Sequence, residues 1–425
     1  MLFWVFIGVP ALLAILNAAQ ALAAWIHVRI LRNRPPDPGG YTPRVALFVP
    51  CKGLDPDLEA NLEAVARQDY PDHTVTYIVE STADPAHDTL RRVVARHPHT
   101  CTVIAGLART CGQKNHNLLQ GIASRGHGAE VIVTCDSDTR PDRTWLRRLV
   151  APLADPRISV ATGFRWLQPG EGRRTFAGYL HAMFNGYMAT LVANKSFAAV
   201  WGGSMALRRD FFERHRLAER WSSTVVDDMT VSEILLASGE RRVYVPSCVV
   251  VSDDAIPHLR PTLDWFTRQI VYVRYHLYVF WLMALALHIS SALVVLSAPV
   301  LLVAHAYSGA RELLWGGVAA TLFTLSFMGQ ALLVRSLGAR KFSAWRWCLY
   351  APVGQVLAGY CLWQSALWRS LSWRDTTYWV GSDGRVIRIE RAGAVLPGPW
   401  PVAEPASPTP APVVVGLDLQ TLNEE

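Results

Sequence analysis

Long apolar stretches near both ends bracket a polar middle, and no other feature constrains this chain as much. Leu2 to about Ile30 carries no charge before His27, a length that can cross a bilayer. Leu277 to about Ala304 and Leu313–Val334 repeat the pattern near the other end. With 51% apolar and 18% charged residues, the chain is neither disordered nor a purely soluble enzyme. The stretch between is too polar for a polytopic transporter. The layout predicts a soluble domain stitched to membrane segments.

The charges fit that layout. The N-terminal run lacks the basic start of a signal peptide. Arg29, Arg32 and Arg34 close it, which places the downstream side in the cytoplasm. Arginines at membrane borders account for the net charge of +7. No Lys/Arg run of the kind that binds nucleic acid occurs, so nucleic acid is excluded as a partner. The seven cysteines form no CxxC pair, as in a reducing compartment. Trp265, Phe266, Tyr272 and Tyr275, interleaved with Arg268 and Arg274, predict a helix lying at the membrane surface. Trp347–Trp368 is diluted by Gln355, Gln364 and Pro352 and reads as re-entrant or interfacial, with the tail inside.

The expected division is a membrane helix over 1–32, a Pro/Gly linker over 33–43 and an α/β domain over 44–258. An interfacial helix over 259–275, membrane segments over 276–368, a small basic hairpin over 369–392 and a disordered tail over 393–425 follow. Within the α/β domain, Val45–Val49, Thr74–Val79, Thr102–Ala105 and Val131–Cys135 read as strands. Helical patterns at about 57–68, 84–96 and 113–124 alternate with them. This rhythm predicts a mostly parallel sheet covered on both faces. Ligands in such sheets collect beyond the carboxyl ends of the strands, where Glu80 and Asp136 fall.

Asp136 and Asp138 follow a buried strand two residues apart, so they can converge on one Mg²⁺ or Mn²⁺ whose other ligands come from a diphosphate. A plain turn before Thr144 is the competing reading. Asp227-Asp228 opens a helix and reads on its own as a cap, or as a general base whose pKa is raised by like charge and burial. Lys114 starts a helix, where a lysine can meet a phosphate, or simply face solvent. Gly202-Gly203-Ser204 allows close approach of backbone to a ligand, or makes an ordinary tight turn.

The string Pro50-Cys51-Lys52-Gly53-Leu54-Asp55-Pro56-Asp57-Leu58, continuing through Asn61-Leu62-Glu63 to Asp69-Tyr70-Pro71, resembles ceramide glucosyltransferases and related bacterial hopanoid glycosyltransferases. These form the family 2/21 group of inverting enzymes with a GT-A fold. The resemblance covers about Val45 to Tyr275. It implies a Rossmann-like GT-A domain with membrane helices at both ends, a UDP-sugar donor and a lipid acceptor in the bilayer. It also implies a divalent cation, Mg²⁺ or Mn²⁺. By position, Glu80 and Asp136 match the acids that contact the donor, and Lys114 and Lys52 join them on the donor side. Asp138 matches the metal-proximal acid, with Asp136 beside it, and Asn117 completes the Lys-x-x-Asn segment. Asp228, paired with Asp227, matches the catalytic base. Gly203 and Ser204 match the acceptor side, together with Arg268, Gln269 and Arg274.

Val271 and Tyr272 stand where relatives carry Arg-Trp, a departure that weighs against processive synthesis. The expected activity is non-processive transfer to a ceramide- or hopanoid-like hydroxyl on the cytoplasmic side of a bacterial inner membrane. A polyprenyl-phosphate glycosyltransferase, a polysaccharide synthase and an inactive membrane scaffold are the alternatives.

Overall fold

The structure is a computed structural model describing residues 7–33, 40–55, 57–167, 174–194, 197–252, 256, 258–391, 394–396 and 413–415. Residues 1–6, most of the Pro/Gly linker, Pro56 and most of the expected tail lie outside the described residues.

Along the chain the elements are α1 (Val9–Asn33), β1 (Val45–Pro50), α2 (Leu58–Ala66), β2 (His73–Val79), α3 (Ala86–Val94), β3 (Thr100–Ile104), α4 (Gln113–Arg125), β4 (Val131–Cys135) and α5 (Trp145–Val150). Next come β5 (Ile158–Leu167), α6 (Phe176–Ala193), β6 (Ser204–Arg208), α7 (Arg209–Arg214), α8 (Leu217–Trp221), α9 (Asp228–Ser238) and β7 (Arg241–Ser252). The helices α10 (Leu259–His276), α11 (Tyr278–Ser308), α12 (Arg311–Gly338) and α13 (Ala344–Leu367) precede β8 (Ser370–Trp373), β9 (Thr376–Val380), β10 (Val386–Arg391), β11 (Ala394–Leu396) and β12 (Val413–Val415).

The chain divides into two units. One holds 34–165, 198–250 and 369–425, the other 1–33, 166–197 and 251–368. In the first, the sheet order is β12-β3-β2-β1-β4-β6-β5-β7. The strands β3, β2, β1 and β4 run parallel, as the βα rhythm predicts. Beyond β4 the sheet turns mixed: β6 is antiparallel to β4 and to β5, and β12 is antiparallel to β3 on the far edge. Strand and helix alternate in the second half as well, but there β6 lies between β4 and β5 and runs antiparallel to both.

Alternate residues of β1 feed two cores. Val45, Leu47 and Val49 pack with Leu62, Leu90 and Trp145. Ala46 and Phe48 pack with Leu118, Phe211 and Trp221. A strand buried on both faces must be apolar throughout, which is why Val45–Val49 shows no alternation. The four-stranded sheet β11-β10-β9-β8 belongs to the same unit and is antiparallel throughout. It turns between β9 and β10 at Gly381–Gly384, inside the segment 369–392 expected as a hairpin.

The second unit is helical. Two of its helices, α11 and α12, are long and apolar enough to cross a membrane. The apolar part of α1, Val9–Ala23, is shorter than that test requires. A spanning N-terminal helix is therefore not established by length and composition. Helix α13 runs unbroken across Pro352, without the interruption a re-entrant loop would need. Helix α10 forms where the interfacial segment is expected. Aromatic packing ties the unit together: Tyr179 meets Phe342 and Tyr350 edge-on, and Phe184 stacks on Phe266 at 4.1 Å.

Candidate active site

Three parallel strands deliver their chemistry to one edge. Lys52 lies just past β1, Glu80 directly follows β2, and Asp136 directly follows β4. The Lys52 ammonium is 2.8 Å from the Glu80 carboxylate. Helix α4 brings Lys114 in at its second position. Its ammonium bridges Asp136 at 2.9 Å and Asp227 at 3.1 Å. The nearby carboxylates hold the Lys114 pKa up even though burial pulls it down. The solvent-facing alternative for Lys114 is thereby set aside.

Asp227 occupies the cap position of α9, yet its side chain caps nothing. It is 1% exposed and turns inward to Lys114 instead. Asp228 follows, and its carboxylate accepts a hydrogen bond of 3.0 Å from the Gly202 amide. The Asp228 pKa is pushed up to about 6, by burial first and by the neighbouring Asp227 second. Lys114 opposes that shift. A carboxyl poised near neutrality can accept a proton in the reaction, as a general base must.

The glycine pair behind these acids is needed for their placement. A Cβ on Gly202 would come within 2.3 Å of the Asp227 carboxylate. One on Gly203 would come within 2.4 Å of the Asp136 carboxylate and 2.2 Å of the Trp201 ring. The close approach at this turn is to the protein's own carboxylates. Ser204 is fully buried and accepts a hydrogen bond from the Trp145 indole at 3.0 Å, facing the core.

Asp138 pairs with Arg165 on β5. Burial raises its pKa, Arg165 opposes, and Asp136 adds to the rise. One Asp138 oxygen and one Asp227 oxygen are buried without a hydrogen-bond partner. Among the described residues, no three His, Cys, Asp or Glu side chains gather as a metal cage. An unpartnered oxygen on a paired-acid loop fits a hard cation that takes its remaining ligands from a diphosphate and water. Asp136 and Asp138 would hold such an ion.

Asn117 is buried and accepts a hydrogen bond from the Gln113 side chain at 2.8 Å inside α4. Arg268, Gln269 and Arg274 lie on α10 in the helical unit. Arg274 donates to the carbonyls of Ser365 and Trp368 at the end of α13, the latter at 2.6 Å, so it satisfies a helix terminus there. Sequence reasoning missed Arg165, whose signal was the one charged residue in the strand Ile158–Leu167. It also gave Asp55 no role, although Asp55 accepts from the Ser137 hydroxyl at 3.0 Å, between the two candidate metal ligands.

The profile of glycosyl transferase family 21 matches residues 9–386. The chain belongs to glycosyl transferase family 21. An N-acetylglucosaminyltransferase of Bradyrhizobium diazoefficiens is 26% identical over 251 residues, 52% of this chain and 48% of its own length. A ceramide glucosyltransferase of Gibberella zeae is 35% identical over 97 residues, 20% of this chain and 18% of its own. The chain thus spans about half the length of the bacterial relative, and less of the fungal one. Among solved structures, the mannosyltransferase PcManGT from Pyrobaculum calidifontis, in complex with GDP-Man and Mn2+, aligns at 20% identity with a TM-score of 0.46. That alignment covers 86% of this chain and 99% of PcManGT.

Proposed function

We propose that this family 21 chain is a membrane-bound, inverting, non-processive glycosyltransferase. It moves a sugar from a UDP-sugar to the hydroxyl of a ceramide- or hopanoid-like lipid on the cytoplasmic side of a bacterial inner membrane. The observation that carries the reading is the half-buried Asp228 carboxyl, held by the Gly202 amide and raised toward neutrality beside the Lys114–Asp136–Asp227 cluster. A proton acceptor and a cationic seat for a diphosphate stand at one sheet edge.

In this reading Lys52 and Glu80 hold the nucleoside half of the donor. Lys114 orients the diphosphate. Asp136 and Asp138 would hold Mg²⁺ or Mn²⁺, whose charge would offset that developing on the diphosphate. Asp228 accepts the hydroxyl proton as the lipid oxygen bonds to the anomeric carbon. The bond from that carbon to the diphosphate breaks, and UDP leaves with the electron pair. In-line attack from the opposite face inverts the anomeric centre.

Asp228→Asn tests the assignment, because it keeps the shape and removes the base. Transfer should be lost while UDP binding stays within about twofold of wild type, since general-base removal typically costs 10²–10⁴-fold in rate and no ground-state contact to UDP. Normal turnover in this variant would overturn the base assignment. A phosphate acceptor needs no deprotonation, so retained turnover with polyprenyl phosphate would favour the polyprenyl-phosphate alternative.

A further inference from the structure

The small sheet β8–β11 follows the last helix and carries none of the residues assigned above, yet it pairs with Lys52 and Asp55 and bonds next to Lys114. Asp375, in the turn between β8 and β9, places its carboxylate 2.8 Å from the Lys52 ammonium. Lys52 is only 6% exposed and already pairs with Glu80 at 2.8 Å. Arg374 pairs with Asp55 at 2.5 Å, and Asp55 in turn accepts from Ser137, between Asp136 and Asp138. The Arg374 guanidinium passes 3.1 Å from where a Cβ on Gly53 would sit, and Gly53 has a φ of +67°. Glycine therefore serves there twice, for conformation and for clearance.

Two more ties complete the arrangement. The Tyr378 hydroxyl accepts from the Gln113 amide at 3.1 Å, at the end of α4 that carries Lys114. The Val386 amide donates to the Ser223 carbonyl at 2.8 Å, in the loop leading to Asp227 and Asp228.

A lysine ammonium has three N–H donors. Glu80 and Asp375 direct two of them, which leaves the third for a ligand oxygen. With one carboxylate alone the head group could swing about its stem. Resting on the nucleotide-sugar reading above, we propose that the C-terminal sheet is a wall of the donor site. Asp375 is its positioning residue for Lys52, and Arg374 ties the sheet to the Asp136–Asp138 loop.

The test is equilibrium UDP binding to the full-length protein in detergent, alongside donor and acceptor kinetics. Asp375→Asn is isosteric, and its thermal midpoint should match wild type. It should weaken UDP binding about tenfold, equal to about 1.4 kcal/mol, and raise donor KM with little change in kcat or acceptor KM. Arg374→Gln should weaken UDP binding by a smaller factor. Asp383→Asn, in the exposed turn after β9, should change nothing. Wild-type UDP affinity in Asp375→Asn overturns the inference alone, as does an equal loss in Asp383→Asn. A wild-type protein that binds no UDP overturns the nucleotide reading itself.

Discussion

The two units use glycine for opposite ends. In the α/β unit, Gly203 clears room for the Asp136 carboxylate and the Trp201 ring. In the helical unit, Gly338 clears room for the indole of Trp166, whose ring a Cβ would meet at 2.2 Å. The first close approach keeps charges together at a sheet edge; the second keeps an aromatic ring packed between helices. Charge follows the same division. Lys114, Asp136 and Asp227 are brought together at the sheet edge, whereas the outer faces of α11 and α12 expose Leu293, Val300 and Leu322. The lesson is that equal steric demands have different consequences, clearing room for carboxylates in one unit and for an aromatic ring in the other.

Variants can break or sharpen that contrast. Asp228→Asn should have the largest effect, a fall in kcat of about 10²–10⁴-fold, read by the rate of UDP release in the presence of lipid acceptor. Gly203→Ala comes next. Displacing Asp136 should cost about 10²-fold in activity, since misplacement of about 1 Å in a site has that effect, while the protein still inserts and stays folded by circular dichroism. Gly338→Ala should do the reverse, costing about 1–3 kcal/mol of stability by overpacking while kcat per folded molecule stays near wild type. A Gly338→Ala protein that is stable but inactive would erase the distinction.

The smallest effect is a shift in pH dependence. Asp228 must be ionised to accept a proton, so the rate should fall as pH drops through about 6. Lys114 holds that pKa down. Lys114→Met should therefore move the acid limb to higher pH, measured as kcat against pH at saturating donor. A limb that stays in place or moves down would mean that Lys114 does not act on the base.

The strands and the acids at their ends were legible because burial on both faces forces an unbroken apolar run, and the run stops where function begins. Val131–Cys135 ending on Asp136 is the clearest case. From its local pattern, Asp227-Asp228 was legible only as an alternative to a cap, and the family resemblance alone matched Asp228 to a base. A cap and a buried ion pair have the same local spelling, and the partner that decides between them, Lys114, is 113 residues away (227 − 114). Arg165 and Asp375 were hidden for the same reason. Each gains meaning from a long-range contact, with Asp138 and with Lys52 respectively, that no local pattern marks. The antiparallel half of the sheet escaped prediction because β5 and β6 are separated by α6 and other chain belonging to the helical unit.

The central claim is sugar transfer to a membrane lipid with Asp228 as the base. The most direct measurement is mass spectrometry of total lipids from cells producing the wild-type chain, the Asp228→Asn chain, or neither. A new hexosyl- or N-acetylhexosaminyl-lipid is expected in the wild-type cells alone. The same glycolipid in the Asp228→Asn cells, or none in the wild-type cells, would contradict it.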